Sequence, residues 1–371
     1  MKCAFAVLTM ACGLTLPGVG LAQDTSHRAG AVFVMTNAAD KNQIIAYSRD
    51  ADGMLQEVHR FDTGGRGSGG NTDPLGSQGS LVLSPDGSML FAVNAGSGDI
   101  SAFDVDGSRL SLTDLEPSGG AAPDALALSG NLLYVLNSGA SSGVTGFRVN
   151  GGGHLKPIAN ALRFLSTNIT AASALAFSPN GAFLVVIERE TNNIDVFSVQ
   201  SDGTLVATPP QPSSVPGAFA VIFAPNGAAL VVATGPDGAV NGSAISSYTH
   251  GAGGTLTPIS NDIPTLGAAS CWNAITPNGQ FVYTSNAGTG TISAFTVSST
   301  GALTPVSGTI VATNPSNLDI AISSDGKFLY ALEPGAGSVG MFAIQSDGTL
   351  SSLGTLTDIG TNQGLNGIAA F

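Results

Sequence analysis

Short apolar runs alternate with turn residues along this chain, and one pattern returns seven times. Each copy places an apolar residue three positions before an aromatic one: Ile44/Tyr47, Ile100/Phe103, Val144/Phe147, Ile194/Phe197, Ile245/Tyr248, Ile292/Phe295 and Val339/Phe342. Runs of this length and composition predict β-strands, and we expect the repeated residues to form the core. Recurrence at a period of this size is typical of a propeller, a solenoid or an array.

Two kinds of glycine turn divide the repeats into strands. A Gly-x-Leu turn follows each aromatic residue, with its glycine at 53, 107, 153, 203, 254, 301 and 348, and with one extra residue in the second copy. An Asp-Gly or Asn-Gly turn, shortened in the third repeat, has its glycine at 87, 130, 181, 227, 279 and 326. These dipeptides supply the positive φ angles of hairpin turns, so each marks a strand reversal. Their spacing fits one four-stranded propeller blade.

The two ends of the chain carry complementary parts of one repeat. The first repeat lacks an innermost strand, because Val32–Met35 already resembles a second strand. Residues 366–371 resemble an innermost strand with nothing after it. We therefore predict an all-β, seven-bladed β-propeller of four-stranded blades, in which the C-terminal strand completes blade one and closes the ring. Residues 23–371 would form this single domain.

The first 22 residues are typical of an export signal. Lys2 precedes an apolar run through Leu16, and a small-residue site ends at Ala22. We expect cleavage after Ala22 and a secreted or periplasmic location. Lipidation at Cys12 is a less favoured alternative, because the residues before it match a lipobox poorly.

Charge and cysteine content exclude several classes of function. The sequence has a formal net charge of −13, and loss of the signal would make it more negative. Nucleic acids and anionic membranes are therefore poor partners, and no segment after the signal is suited to spanning a membrane. Cys271 would be the only cysteine after cleavage, so no intrachain disulfide is expected.

Two segments, FAVNAGSGDISAF at 91–103 and VYTSNAGTGTISAF at 282–295, resemble the lactonase family of seven-bladed propellers. This family includes 6-phosphogluconolactonases and 3-carboxymuconate cyclases. The resemblance spans residues 30–371 and is nearest to secreted bacterial members described as 3-carboxymuconate cyclases, through residues 184–197 and 269–272. It implies a propeller that acts on a lactone or a carboxylated small molecule. A phosphosugar lactonase would present several basic residues to phosphate, whereas we expect only Arg189 there.

Strand alternation places two sets of loops on one face of the ring, which we call the mouth, and loop-rich faces favour ligand binding. The loops after the second strands carry Asn37, Asn94, Asn137, Glu188, Asn286 and Glu333, with an irregular repeat five at 234–241. The connections to the innermost strands carry Asp73, Gln78, Asp124, Ser173, Trp272, Asn273, Asp319 and Asn366.

Glu188, Arg189 and Glu190 bring three charges together in a chain with only 10% charged residues. We expect Arg189 to bind a substrate carboxylate while Glu188 or Glu190 acts as general base. The alternative is a surface ion pair that stiffens the loop. The asparagines at the corresponding positions have a simpler explanation, since Asn side chains stabilise turns.

Further candidate substrate-binding residues on this face are Gln78, Asp124, Trp272, Asn273, Asp319, Glu333 and Asn366. Trp272, the only tryptophan, either floors a ligand pocket or plugs the central channel. No histidine pair has metal-ligand spacing, and the sequence predicts neither a GxSxG nucleophile elbow nor an HExxH helix. We therefore predict neither a metal nor a cofactor; calcium at the loop aspartates is a less favoured alternative, because no EF-hand-like spacing supports it.

Two functions from different classes fit these observations. The first is an exported lactonase-family enzyme that hydrolyses or cyclises a lactone or carboxylated small molecule by acid/base chemistry. The second is a non-catalytic envelope propeller that binds a protein, glycan or small ligand at its mouth. The scarcity of His and Arg favours the binding protein, whereas the charged loop and Trp272 favour the enzyme. The oligomeric state stays open.

Overall fold

The computed structural model describes residues 30–167, 170–236, 239, 241–306, 311–314, 316–361 and 363–371. The predicted signal peptide and part of the irregular segment 234–241 lie outside these residues. The described chain forms seven small antiparallel sheets arranged in a ring. The all-β, seven-bladed propeller predicted from the repeats is confirmed. No described segment is a helix with the length and apolar character needed to span a membrane.

The strands follow one another blade by blade along the chain. Blade 1 contains β1 (Gly30–Met35), β2 (Gln43–Arg49) and β3 (Leu55–Asp62). Blade 2 contains β4 (Leu81–Leu83), β5 (Met89–Asn94), β6 (Asp99–Asp106) and β7 (Arg109–Pro117). Blade 3 contains β8 (Pro123–Ser129), β9 (Leu132–Asn137), β10 (Gly143–Val149), β11 (Leu155–Pro157) and β12 (Arg163–Phe164). Blades 4 and 5 contain β13 (Ala172–Phe177), β14 (Phe183–Glu188), β15 (Asn193–Val199), β16 (Leu205–Ala207) and β17 (Gln211–Pro212); and β18 (Ala218–Phe223), β19 (Ala229–Ala233), β20 (Ala244–His250) and β21 (Leu256–Pro264).

Blades 6 and 7 contain β22 (Ser270–Ile275), β23 (Phe281–Asn286), β24 (Thr291–Val297), β25 (Leu303–Pro305) and β26 (Val311–Ala312); and β27 (Ile320–Ile322), β28 (Phe328–Glu333), β29 (Ser338–Ile344) and β30 (Leu350–Leu356). The last strand, β31 (Ile368–Ala370), returns to blade 1. Within each blade, the strands are ordered from the central channel to the outer edge. The seven aromatic residues of the repeat are all buried, as expected of a core position.

The C-terminal strand closes the ring as predicted. β31 pairs antiparallel with β1, with Val32 opposite Ala370. Arg49, at the end of β2, is 3% exposed and donates to the Phe371 carbonyl at 3.4 Å. Its guanidinium also lies 3.4 Å from the carboxylate of Asp325 on blade 7. Arg49 therefore ties the closing segment to both blades beside it.

The Gly-x-Leu turns recur because they pack against the preceding blade, as is observed for the glycines at 53, 153, 203, 254, 301 and 348. Gly53 has a φ of +86°, and a Cβ there would lie 2.4 Å from the ring of Phe328 on blade 7. Tyr330 of the same blade donates its hydroxyl to the Gly53 carbonyl at 3.0 Å. Tyr283 and Gly348 are joined in the same way at 2.9 Å. Backbone conformation and close approach therefore both require glycine at these turns.

Candidate functional site

The residue that ends the second strand of a blade commonly points into the fold. In blades 2, 3 and 6, an asparagine amide donates to a hydroxyl on the third strand, in the pairs Asn94/Ser101 (2.8 Å), Asn137/Thr145 (3.2 Å) and Asn286/Ser293 (2.9 Å). In blade 7, Glu333 is 1% exposed and accepts hydrogen bonds from Asn314 and Ser338. These contacts fit the turn-stabilising explanation of the asparagines.

Blade 4 has two carboxyl groups where blades 2, 3 and 6 have an amide and a hydroxyl. Glu188 is fully buried and accepts hydrogen bonds from the Ser166 backbone N–H at 2.8 Å and from the Ser166 and Thr191 hydroxyls. Asp195 is 4% exposed, and burial, together with the adjacent Glu188, raises the pKa of Asp195 to about 8. Burial acts to raise the pKa of Glu188 as well, but hydrogen bonds from Asp195 and the two hydroxyls hold it below its usual value. At neutral pH, Asp195 is therefore the protonated donor and Glu188 the ionised acceptor.

This carboxyl pair predicts a pH-dependent stability. The raised pKa of Asp195 means that the folded protein keeps a proton that the unfolded chain releases between pH 4 and 8. Stability from this group is full below pH 4 and falls as the pH rises, by up to about 1.4 kcal/mol per pH unit. Asp195→Asn keeps an N–H donor for Glu188 without titrating, so we expect a flatter profile in urea unfolding between pH 5 and 9. Parallel profiles for the two proteins would show that Asp195 ionises normally.

The next residue, Arg189, has a different environment. Its guanidinium carbon lies 5.7 Å from the centre of the Phe219 ring, and a Cβ on Gly76 would lie 3.7 Å from its Nη1. Within the described part of the chain, Arg189 makes no hydrogen bond and no ion pair. Glu188 bonds elsewhere, and Glu190 is exposed, so the alternative of a surface ion pair is not observed there. A half-buried guanidinium with unused donors is suited to binding an anion.

Asp73, in the connection before β4, lies within electrostatic range of Arg189. It accepts hydrogen bonds from the Gly76 backbone N–H at 3.0 Å and from the Asn366 amide at 3.5 Å. Burial raises the pKa of Asp73 to about 7, although the Gly76 N–H and the Arg189 charge oppose the shift. Its φ of +48° is uncommon for a residue with a side chain. Asp73 can therefore accept and release a proton near neutral pH.

A second carboxyl group, Asp319 on blade 7, lies within electrostatic range of Asp73. It is 4% exposed and accepts hydrogen bonds from the backbone N–H groups of Ile320 at 3.0 Å and Ile368 at 3.3 Å. Burial raises the pKa of Asp319 to about 7, and the charge of Asp73 adds to the shift. We refer to Asp73, Arg189, Phe219, Asp319 and Asn366 together as the mouth cluster.

Irregular strands help to place these side chains at the channel. Four innermost strands begin with a register shift that leaves one residue unpaired: Asp124, Ser173, Phe219 and Cys271. Such bulges re-aim a side chain and are common beside functional sites. Asp124 is 2% exposed, and burial raises its pKa well above the usual value. Neither of its carboxylate oxygens has a well-formed hydrogen bond within the described residues.

Residues 77 and 78 cross the axis of the ring. The Trp272 indole N–H donates to the Ser77 carbonyl at 2.9 Å. The Gln78 side-chain amide donates to the Asn273 carbonyl at 2.7 Å and accepts from the Asn273 N–H at 3.1 Å. Residues 77 and 78 belong to blade 2 and the others to blade 6, which are not neighbours. These hydrogen bonds therefore pass through the central channel.

The same segment also binds blades 3 and 4. The Ser77 hydroxyl donates to the Asp124 carbonyl at 2.7 Å, and the Gln78 backbone N–H donates to the Ser173 carbonyl at 2.8 Å. Trp272 is fully buried and meets the Phe219 ring edge-on, with centroids 5.0 Å apart. Of the two interpretations for Trp272, this environment favours the plug.

The structure thus separates the residues selected from sequence into three groups. The first group, Arg189, Asp319 and Asn366, approaches Asp73. The second group, Gln78, Trp272 and Asn273, takes part in the hydrogen bonds across the axis. In the third group, Glu188 and Glu333 stabilise loops, Glu190 is exposed and Asp124 is buried. The described residues contain no group of three or more His, Cys, Asp or Glu that could hold a metal. Sequence reasoning did not select Phe219 or Asp195. Aligning Ala218-Phe219-Ala220 with Pro123-Asp124-Ala125 would have identified Phe219.

Comparison with known proteins agrees with this fold. Residues 31–166 match the sequence model of the family described as Lactonase, 7-bladed beta-propeller. The structure of a candidate 6-phosphogluconolactonase from Bacteroides uniformis is similar, with 19% sequence identity and a TM-score of 0.72 over 92% of this chain and 99% of that one. A periplasmic gluconolactonase from Pseudomonas aeruginosa has 18% identity and a TM-score of 0.68 over 91% and 98% of the two chains.

A structure described as a lyase is also similar, at a lower TM-score. A virginiamycin B lyase from Staphylococcus aureus is 18% identical, with a TM-score of 0.52 over 76% of this chain and 84% of that one. No curated protein matches the sequence. At these identities, the solved structures establish a shared fold and leave the chemistry to the site. The sequence match over residues 31–166 and the closed ring of seven blades together show that this chain is similar to the lactonase family of seven-bladed β-propellers.

Proposed function

We propose that this protein is a lactonase-type hydrolase that opens a lactone ring at the mouth cluster. The observation that carries the proposal is the Arg189 guanidinium, which has no hydrogen-bond or ion-pair partner among the described residues and lies within electrostatic range of Asp73, a carboxyl group whose pKa is about 7. The family match supports a lactone as substrate, as do the names of the 6-phosphogluconolactonase and gluconolactonase structures. Because Arg189 is the one cation in the cluster, we favour a neutral or singly charged lactone over a phosphosugar.

In the proposed reaction, Asp73 in its ionised form takes a proton from water as the water oxygen attacks the lactone carbonyl. The N–H groups of Arg189 bind the oxyanion that develops on that carbonyl, or a carboxylate elsewhere on the substrate. The bond between the acyl carbon and the ring oxygen then breaks, and the proton on Asp73 passes to the ring oxygen. Phe219 orients the guanidinium through its ring face.

The three charged residues of the loop, Glu188, Arg189 and Glu190, contribute unequally to this mechanism. We retain Arg189 as a catalytic residue and assign the base to Asp73. Glu188 is a weaker candidate, because its oxygens already accept hydrogen bonds from Ser166 and Thr191. Glu190 is also a weaker candidate, because it is exposed on the loop.

We also infer that residues 1–22 are an export signal and that residues 23–371 form one domain in the periplasm or outside the cell. The charge pattern at the start of the sequence supports this inference. The periplasmic location of the gluconolactonase from Pseudomonas aeruginosa agrees with it. Determination of the N-terminal residue of the mature protein after expression of the full sequence would test cleavage after Ala22.

Arg189→Met is expected to lower kcat/KM for lactone hydrolysis by a factor equivalent to about 2 to 5 kcal/mol of lost binding free energy. The melting temperature should change little. Rates are to be measured by base titration with glucono-δ-lactone, its 6-phosphate and a carboxylated γ-lactone. Arg189→Lys should restore part of the rate, because it keeps the charge but not the planar donor pair. Arg66→Met, which changes an exposed arginine outside the cluster, is the matched control.

Two results would overturn the proposal in different ways. Equal rates for the wild type and Arg189→Met would remove Arg189 from the reaction. If the wild type opens none of the lactones but binds gluconate in a titration calorimeter, the alternative of a non-catalytic binding propeller would be favoured.

A further inference from the structure

Gln78 makes an unusual contact for a channel residue, because its amide pairs with both backbone groups of Asn273. A primary amide can donate and accept in one plane, which matches the N–H and C=O of a single peptide residue. The contact joins residues that are 195 positions apart in sequence. Loss of the amide would leave both groups of Asn273 without these partners inside the ring, which is unfavourable for buried backbone.

A continuous set of contacts leads from this pair to Arg189. Asn273 follows Trp272, whose indole N–H is held by the Ser77 carbonyl. The indole meets the Phe219 ring with an interplanar angle of 63°, and the Arg189 guanidinium carbon lies 5.7 Å from the centre of the same ring. The position of the guanidinium therefore depends on the indole, which in turn depends on residues 77 and 78.

The same segment also fixes Asp73. Only four residues separate Asp73 from Gln78, and the Asp73 carboxylate is bonded to the Gly76 N–H within this stretch. Gly76 has a φ of +58° and lies against Arg189. One short segment thus carries Asp73 and lies beside Arg189.

We propose that Gln78 and Trp272 act as positioning residues: they form a latch across the axis that sets the separation of Asp73 and Arg189 and does not touch the substrate. This inference rests on the proposed function for its effect on catalysis. Their predicted role in substrate binding would be replaced by this indirect one.

The test uses Gln78→Met, which has a similar size and loses both hydrogen bonds, and Gln78→Glu, which keeps only the acceptor. Trp272→Phe keeps an aromatic ring and loses the indole N–H. We expect Gln78→Met to lower kcat/KM about tenfold to hundredfold and to move the midpoint of the pH–rate profile, with Gln78→Glu and Trp272→Phe intermediate. Gln43→Met, which removes an exposed contact to Asp62, is the control and should behave as the wild type.

A second readout does not depend on activity. Trp272 is the only tryptophan, so acrylamide quenching reports on the latch directly, and Gln78→Met should be quenched at least twofold more than the wild type. Unchanged quenching in Gln78→Met would overturn the latch. Greater quenching with an unchanged rate and pH profile would overturn the positioning role and leave a purely structural one.

Failure of the proposed function would be recognised separately. If the wild type hydrolyses no lactone in the panel, the positioning role is decided by the affinity for gluconate, measured by calorimetry. An affinity at least tenfold weaker in Gln78→Met than in the wild type would support the latch. Equal affinities would overturn it, and so would a lack of gluconate binding by the wild type.

Discussion

Deletion of residues 366–371 is expected to prevent stable folding of the propeller. The deletion removes β31, which pairs with β1 and buries Ile368 and Ala369. Loss of a buried side chain such as Ile368 alone costs about 2 to 5 kcal/mol, which is a large part of the stability of a typical domain. The unpaired edge of β1 also becomes available to other chains. We expect a large decrease in melting temperature, or aggregation, in thermal unfolding and size-exclusion chromatography.

A smaller change in the same region tests whether the loss of stability comes from the missing strand β31 itself. Arg49→Met removes the guanidinium contacts to the Phe371 carbonyl and to Asp325 but leaves β31 in place. It should lower the melting temperature by less than the deletion does, while the protein stays monodisperse. A deletion variant that melts at the same temperature as the parent would show that β31 does not close the ring in solution.

The fold could be predicted because the blades pack against one another through the same residue types at corresponding positions. The glycines of the Gly-x-Leu turns are needed at six of the interfaces between blades, as the contact of Gly53 with Phe328 illustrates. This requirement keeps the repeat visible in the sequence. The unpaired ends of the repeat pattern were sufficient to predict that residues 366–371 belong with Val32–Met35.

The site was less predictable, because side-chain direction depends on register. Glu188 and Arg189 are adjacent in sequence, but Glu188 ends β14 and Arg189 lies in the turn that follows, so one bonds inside blade 4 and the other meets Phe219. The importance of Asp73 depends on the path of a loop that has no repeat counterpart. The contact of Gln78 with Asn273 arises only when the ring has closed, so no local pattern encodes it.

The largest effect on activity is expected at Asp73. Asp73→Asn has nearly the same shape and keeps an oxygen that can accept from the Gly76 N–H, but it cannot take a proton from water. Removal of a general base commonly costs a factor of about 100 to 10,000. We expect a loss of this size in kcat for lactone opening, with KM changed little because Arg189 still binds the substrate.

The pH dependence gives a sharper criterion than the rate alone. A base acts in its ionised form, and the pKa of Asp73 is about 7, so the wild-type rate should rise through neutral pH and level off above it. Asp73→Asn should lose this rise, whereas Asp86→Asn, which changes an exposed carboxylate in an Asp-Gly turn, should keep both rate and profile. Asp319 has a pKa in the same range and remains in the Asp73 variant. A rise that persists in Asp73→Asn would therefore transfer the role of base to Asp319, and an undiminished rate would exclude Asp73 from the reaction.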